Sequence, residues 1–455
     1  MKSETSHYEI DMTHGPMLKK ILLFALPLMA TGMLQLLYNA ADIAVVGKFA
    51  TDADQAAVGS TGALINLVVT LFIGLSVGAS VAVSNHYGAG RHREVSSVVH
   101  TAVAVSAIAG VAAAALGIAF APLLMRMTGT PPEVEGKALA YLMIYFAGLP
   151  AAMVYNFGAA VLRAVGDTRR PMYYLAIAGV TNVVLNLISV IVFRMGASGV
   201  ALATTVSQVV SAVLVVTCLM RSSGSIRLDL KKLRVHRAAF WEIARVGVPA
   251  GLQGTVFSIS NVLIQSSVNS FGTIVMAGNT VAQSLDGFVN VTTAAFGQSA
   301  LSFVAQNRGA GDLKRVRRAV QASCLWMAIF AVAVGTLIVS IGSWLLGTFY
   351  TDNPVVIEQA MVRLNIMCLT YALCGLMDVL ASSIRGMGHS LLPMLVTLIG
   401  VCGLRIVWLY TVFAQHRTLT TLYLCYPVTW AIAAATHLAC FVWLYRRMSR
   451  PPVRA

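Results

Sequence analysis

The chain has 455 residues, of which 58% are hydrophobic and 11% charged, with a mean hydropathy of +0.78. That balance excludes an ordinary soluble domain and leaves lipid as the main solvent. The net charge of +15 would suit a nucleic-acid binder, which neutralises phosphates with clustered Lys and Arg. These residues instead fall in short loops between apolar runs, where they fix the orientation of a membrane protein, so no nucleic-acid partner is expected.

A helix needs about 20 apolar residues to cross a bilayer core. The stretches Val95 to Met125, Val246 to Leu285, Ala319 to Thr351 and Thr418 to Tyr445 exceed this without a single Asp, Glu, Lys or Arg. Strand-like alternation is absent, which favours helices over a barrel. The first apolar run follows a polar stretch and continues for a full span without a small-residue cleavage site. It is therefore read as the first transmembrane helix and not as a secretory signal.

Breaking the runs at Gly, Pro and charge clusters predicts twelve spans, starting near residues 18, 56, 95, 136, 171, 197, 243, 275, 317, 357, 391 and 420. Of the 32 Lys and Arg residues, 25 fall on the side of the N-terminus and 6 on the other, with Arg405 the one arginine expected inside a span. Both termini are thus expected in the cytoplasm, and the protein in the cytoplasmic (inner) membrane. The longest polar connection, Arg221 to Arg245, divides the chain near its middle. The expected organisation is an N-lobe over 1–220, a linker over 221–242 and a C-lobe over 243–455.

The halves repeat. At a shift of 222, Pro27 meets Pro249, Gly32 meets Gly254, Arg163 meets Arg385, Gly166 meets Gly388, and Pro171-Met172 meets Pro393-Met394. At 221, Gly88-Ala89-Gly90 meets Gly309-Ala310-Gly311. Six spans per repeat is an even number, so the two lobes would be related by a pseudo-two-fold axis along the membrane normal. The fold class expected is an all-α integral membrane protein with twelve transmembrane helices in two six-helix lobes.

Three carboxylates lie inside predicted spans: Asp42, Asp286 and Asp378. Each costs about 2.5 to 3.5 kcal/mol at a helix centre, which makes it a functional candidate. Gln35, Tyr38, Asn39 and Asp42 form a polar stripe on the first helix through steps of three and four residues. Asn182 and Asn186 in the fifth span and Thr204, Thr205 and Gln208 in the sixth add amide and hydroxyl oxygens, which hard cations prefer. The same Asn and Thr side chains also suit plain bridging between helices, worth about 0.6 kcal/mol per contact. In the second half, Gln283, Asp286 and Asn290 share a face of the eighth span, with Asp378 on the tenth and Arg405 on the eleventh. An unpaired guanidinium is costly in a membrane, so Arg405 is expected to pair with a carboxylate or to snorkel outward.

Pro27 and its repeat mate Pro249 interrupt helices and suit either moving parts or static kinks. The Gly-Ala-Gly turns lack the lysine spacing of a phosphate loop and read as tight turns, with Asp312 as a helix cap. The seven cysteines carry no metal-ligand spacing and the histidines form no cluster, so neither a metal nor another cofactor is expected.

Taken together, these stretches resemble the multidrug and toxic compound extrusion (MATE) transporters over nearly the whole chain. The resemblance rests on Ala25-Leu26-Pro27, Tyr38-Asn39-Ala40-Ala41-Asp42, Val46-Gly47 and Gly88-Ala89-Gly90. Leu162-Arg163-Ala164-Val165-Gly166-Asp167-Thr168 before Pro171, Asn182 to Asn186, and Met195-Gly196-Ala197-Ser198-Gly199-Val200-Ala201-Leu202-Ala203-Thr204 complete it. It implies a cation-coupled exporter, driven by Na⁺ or H⁺, that takes organic cations and amphipathic small molecules from the cytoplasm through a V-shaped cavity. It also implies that Asp42 couples transport to bending at Pro27, with Asn182 and Thr204 in the same site. Many relatives carry Asp where this chain has Asn186, leaving Asp42 the lone carboxylate of that lobe. The rivals are a flippase for lipid-linked glycans, which would want an Arg-rich cavity, and a membrane enzyme or receptor. No clustered nucleophile, base or metal set supports an enzyme, and the expected partners are small molecules and the bilayer around a monomer.

Overall fold

A computed structural model describes residues 8–127 and 132–449. The expected cytoplasmic placement of the two chain ends, with Lys2, Arg450 and Arg454, lies outside the described residues. All regular secondary structure among the described residues is helical. In chain order the helices are α1 (Met17–Phe49), α2 (Asp52–Gly88), α3 (His92–Met127), α4 (Pro132–Ala164), α5 (Arg169–Leu187), α6 (Gly196–Arg221) and α7 (Arg237–Asn269). There follow α8 (Thr273–Gly309), α9 (Leu313–Phe349), α10 (Pro354–Gly386), α11 (Leu391–Thr397), α12 (Leu404–Tyr410), α13 (Val412–Gln415) and α14 (Leu419–Ser449). Together α11 to α13 form one span, Leu391–Gln415, and twelve spans result, each apolar enough to cross a bilayer. The largest offset from expectation is at the seventh, predicted near 243 and found from Arg237.

The boundaries follow from local chemistry. Thr51 and Asp54 start α2 with a reciprocal capping box. Asp312 accepts from Arg315 N at 2.9 Å to start α9, and Asn353 accepts from Val355 N at 3.0 Å beside Pro354 to start α10. Gly90 and Gly311, repeat mates in the Gly-Ala-Gly turns, take φ of 68° and 77°, a region open chiefly to glycine. Two π-helical segments, Ile188–Val192 after α5 and Leu398–Gly403 between α11 and α12, fall in repeat-related spans.

The described chain divides into two compact units. The first holds residues up to Ile10 and Ala30–Gly251; the second holds Asp11–Met29 and residues from Leu252 onward. Relative to the expected lobes, the opening part of α1 groups with the second unit and the opening part of α7 with the first. Both helices run unbroken through their prolines, Pro27 and Pro249, and change unit two residues later.

In the first unit α4 is the central helix, packed on α2, α3 and α6. Gly74 and Gly78 of α2 meet Gly247 and Gly251 of α7 so closely that a Cβ at Gly78 would strike the Ile243 carbonyl. The stretch between α6 and α7 is a packed segment, with Ile226 and Leu228 buried. Asp229 N donates to His100 Nε2 at 3.1 Å, and His236 N donates to Thr101 Oγ1 at 3.1 Å, which gives the intramembrane His100 a role. In the second unit α10 is central, packed on α8, α9 and α14. There Asn307 Nδ2 donates to Met12 O at 3.1 Å, Trp326 Nε1 donates to Leu18 O at 3.0 Å, and Phe24 meets Phe303 edge-on at 5.5 Å.

Candidate functional site

In the first unit α1, α5 and α6 bring the expected polar residues together. Asn186, fully buried one residue before the end of α5, donates from Nδ2 to the Asp42 carboxylate and, at 3.2 Å, to Asn182 Oδ1. Asn182 Nδ2 donates in turn to Thr204 Oγ1 at 3.2 Å. The result is a continuous relay from a carboxylate through two amides to a hydroxyl. Asn186 Oδ1 is buried and meets no donor among the described residues, an arrangement that normally costs about 1–3 kcal/mol. Rotation of this amide exchanges its oxygen for its nitrogen, so Asn186 can either donate to Asp42 or present an oxygen beside it. In the second state the cluster offers carboxylate, amide and hydroxyl oxygens, the donor set of a hard cation.

Tyr38, one turn before Asp42, donates from its hydroxyl to Ala176 O at 3.2 Å, and its ring occupies the space where a side chain on Gly179 would stand. It holds α1 against α5 and so aims Asp42 at Asn186. Gln35 and Asn39, from the same stripe, are exposed and lie outside the hydrogen-bonded group. On α6, Thr205 donates to Ile144 O at 3.0 Å, while Gln208 Oε1 is buried, packed against Gly148, and meets no donor among the described residues.

The second unit departs from expectation. Asp286 does not pair with Arg405: it accepts from Arg363 Nε at 2.9 Å and Nη2 at 2.8 Å, with both side chains buried. Arg363 Nη1 donates to Asn279 Oδ1 at 2.9 Å, which also accepts from the Tyr423 hydroxyl at 3.0 Å. Arg405 is therefore not the single arginine within a span. The Asn353-Pro354 start signal sets α10 early enough to place Arg363 more than two turns inside it. Gln283 and Asn290 are exposed, away from the buried Asp286; Gln283 donates to Gln265 Oε1 at 3.3 Å.

Arg405 does not snorkel, and it pairs with no carboxylate among the described residues. It is 1% exposed, donates from Nη1 to Asn261 Oδ1 at 2.9 Å and to Ser260 Oγ at 3.4 Å, and lies over the Tyr426 and Phe257 rings at 4.3 and 5.0 Å. Asp378, half-buried on α10, takes part in no ion pair among the described residues. Two turns further along α10, Arg385 donates to Gln253 Oε1 at 2.8 Å, and Gln253 Nε2 donates to Thr397 Oγ1 at 2.8 Å.

Twelve apolar helices built as a duplicated unit, with a carboxylate held on amides inside the first span, define a multi-pass helical membrane protein. The sequence profile of the MatE family matches it twice, over residues 27–188 and 249–411, and the chain belongs to that family. The two matches cover the repeats found by sliding the sequence on itself. The chain is 29% identical to the probable multidrug resistance protein YpnP of Bacillus subtilis, over 87% of this chain and 88% of that one. It is 26% identical to the probable multidrug resistance protein NorM of Thermotoga maritima, over 85% and 84%. Among solved structures, a MOP superfamily transporter from Pyrococcus furiosus shares its fold with a TM-score of 0.92 over 98% of this chain and 100% of that one, at 21% identity.

Proposed function

We propose that this protein is a cation-coupled antiporter of the cytoplasmic membrane, with both termini in the cytoplasm, that exports amphipathic small molecules in exchange for H⁺ or Na⁺. The observation that carries the reading is the Asp42 carboxylate, set inside a span on Asn186, Asn182 and Thr204. A carboxylate there is expensive unless neutralised, and either a proton or a cation neutralises it. Exchange of that neutralising partner is the chemistry antiport requires. Likeness to YpnP and NorM, both named probable multidrug resistance proteins, supports a broad small-molecule cargo. The glycan-flippase alternative gains nothing from the second buried arginine, because Asp286 neutralises Arg363.

The test is counterflow of a fluorescent amphipathic dye in proteoliposomes, with an imposed pH or Na⁺ gradient. Asp42→Asn is expected to abolish gradient-driven transport while leaving insertion and thermal unfolding unchanged. Undiminished transport by that variant removes Asp42 from the mechanism, and the gradient that drives the wild-type protein identifies the ion.

A further inference from the structure

Arg363 and Arg405, the arginines buried among the described residues of the second unit, are built alike except on one edge. A guanidinium presents Nε–H and one Nη–H₂ side by side as a fork that matches the two oxygens of a carboxylate or phosphate. Arg363 gives that fork, Nε and Nη2, to Asp286, gives Nη1 to the amide oxygen of Asn279, and lies over the Tyr423 ring at 5.6 Å. Arg405 repeats the pattern: Nη1 goes to the amide oxygen of Asn261, and the plane lies over Tyr426 and Phe257. Its Nε and Nη2 are buried and meet no acceptor among the described residues. The side where Arg363 holds its carboxylate is, in Arg405, a fork without an acceptor among the described residues.

We infer that the Arg405 fork is a docking point for an anionic group, a carboxylate or phosphate monoester, on the transported molecule. The inference rests on the antiporter reading and adds to it a substrate class. Buried guanidinium groups without a countercharge are costly in a bilayer, and stacking on two aromatic rings offsets only part of that cost. The rings also provide a flat apolar wall beside the fork, so the matching ligand couples an anionic head to an aromatic or aliphatic body. The elements around Arg405 are of kinds that shift. The π segment Leu398–Gly403 ends two residues before it, and such segments mark functional sites. Ser260, Asn261 and Phe257 stand on α7 beyond the proline at 249.

The test uses three probes with one pyrene body: 1-pyrenebutyrate, its neutral amide, and the corresponding primary ammonium compound. Binding to the purified full-length protein in nanodiscs is read by fluorescence, and export in energised proteoliposomes is read separately. The wild-type protein is expected to bind the carboxylate at least tenfold tighter than the amide. Arg405→Gln should bring carboxylate binding down to the amide level without weakening the ammonium probe, and Arg405→Lys, which keeps the charge but not the fork, should fall between them. Equal weakening of all three probes by Arg405→Gln overturns the inference, as does a wild-type protein that does not prefer the carboxylate. In case Arg405→Gln fails to fold, the wild-type protein serves alone. Pyrenebutyrate should protect the Arg405 peptide from phenylglyoxal, read by mass spectrometry, and modification unaffected by pyrenebutyrate overturns the inference equally. Absence of gradient-driven export of any probe, with carboxylate binding intact, counts against the antiporter reading and not against the fork.

Discussion

Single residues divide here by whether a polar group is matched inside its own unit. Asp42 was legible in the sequence because a carboxylate amid Tyr38, Asn39 and an apolar run has no cheap explanation, and its Asn182, Asn186 and Thr204 neighbours were legible as oxygens at helical spacing. Gln35 and Asn39 share the stripe but not the contacts, since a helical period narrows the choice of face without fixing which residues meet a neighbour. Arg363 was not legible as a buried residue: the charge balance counts it with the Lys and Arg that flank the spans, although it stands six residues past the expected start near 357, and the Asn353-Pro354 cap sets it deeper still. Its pair with Asp286 is expected to behave as a buried ion pair. Asp286→Asn alone leaves an uncompensated guanidinium and should cost about 3–5 kcal/mol, whereas Asp286→Leu combined with Arg363→Met should be near neutral or stabilising. Thermal unfolding in detergent, followed by tryptophan fluorescence, checks both. A single variant as stable as the double would show that the pair carries no structural load.

At the scale of elements, hydropathy and cap residues located the helices, because a bilayer leaves the backbone few other ways to satisfy its hydrogen bonds. The π segments at Ile188–Val192 and Leu398–Gly403 were not legible: ISVIV and LIGVCG read as plain apolar helix, and the widened turn carries no residue signature. The close approach of α2 and α7 has a clear signature in hindsight, Gly74-xxx-Gly78 against Gly247-xxx-Gly251, but a sequence shows such spacing without naming the partner. Its energetics can be measured. Gly78→Val places a branched side chain against the Ile243 backbone and should destabilise by about 1–3 kcal/mol. Gly62→Ala, on the same helix with open space around its Cα, should stabilise by about 0.5–1 kcal/mol through helix propensity alone. Equal midpoints for the two variants in thermal unfolding would mean that the glycine contact does not bind α7 to the first unit.

For the whole molecule, the repeat was legible because Pro27 and Pro249, Arg163 and Arg385, and the Gly-Ala-Gly turns recur at nearly one shift. The exchange of helix beginnings between units was not, since allegiance is decided by packing partners far away in sequence. The chain changes unit first between Ile10 and Asp11, and Glu9 and Ile10 are held to the first unit. Ile10 N donates to Gly166 O at 3.2 Å, and Glu9 stands 4.0 Å from Arg170 and 3.4 Å from the Tyr87 hydroxyl, beside the fully buried Asp167. Burial raises the Glu9 carboxyl above its ordinary value of 4.5; the Asp167 charge adds to this, and Arg170 and the Tyr87 bond oppose it. Burial likewise raises Asp167 above 3.8. In the pH range just above 4.5 the folded state therefore holds more protons at Glu9 than the unfolded chain does, and its contribution to stability falls as pH rises through that range. Glu9→Gln removes the ionisation, so its unfolding midpoint should gain on the wild type as the pH is raised from about 4 to about 7. A difference between the two midpoints that stays constant across that range, or shrinks, would show that the Arg170 contact outweighs burial and that the N-terminal tether is tightest with Glu9 charged.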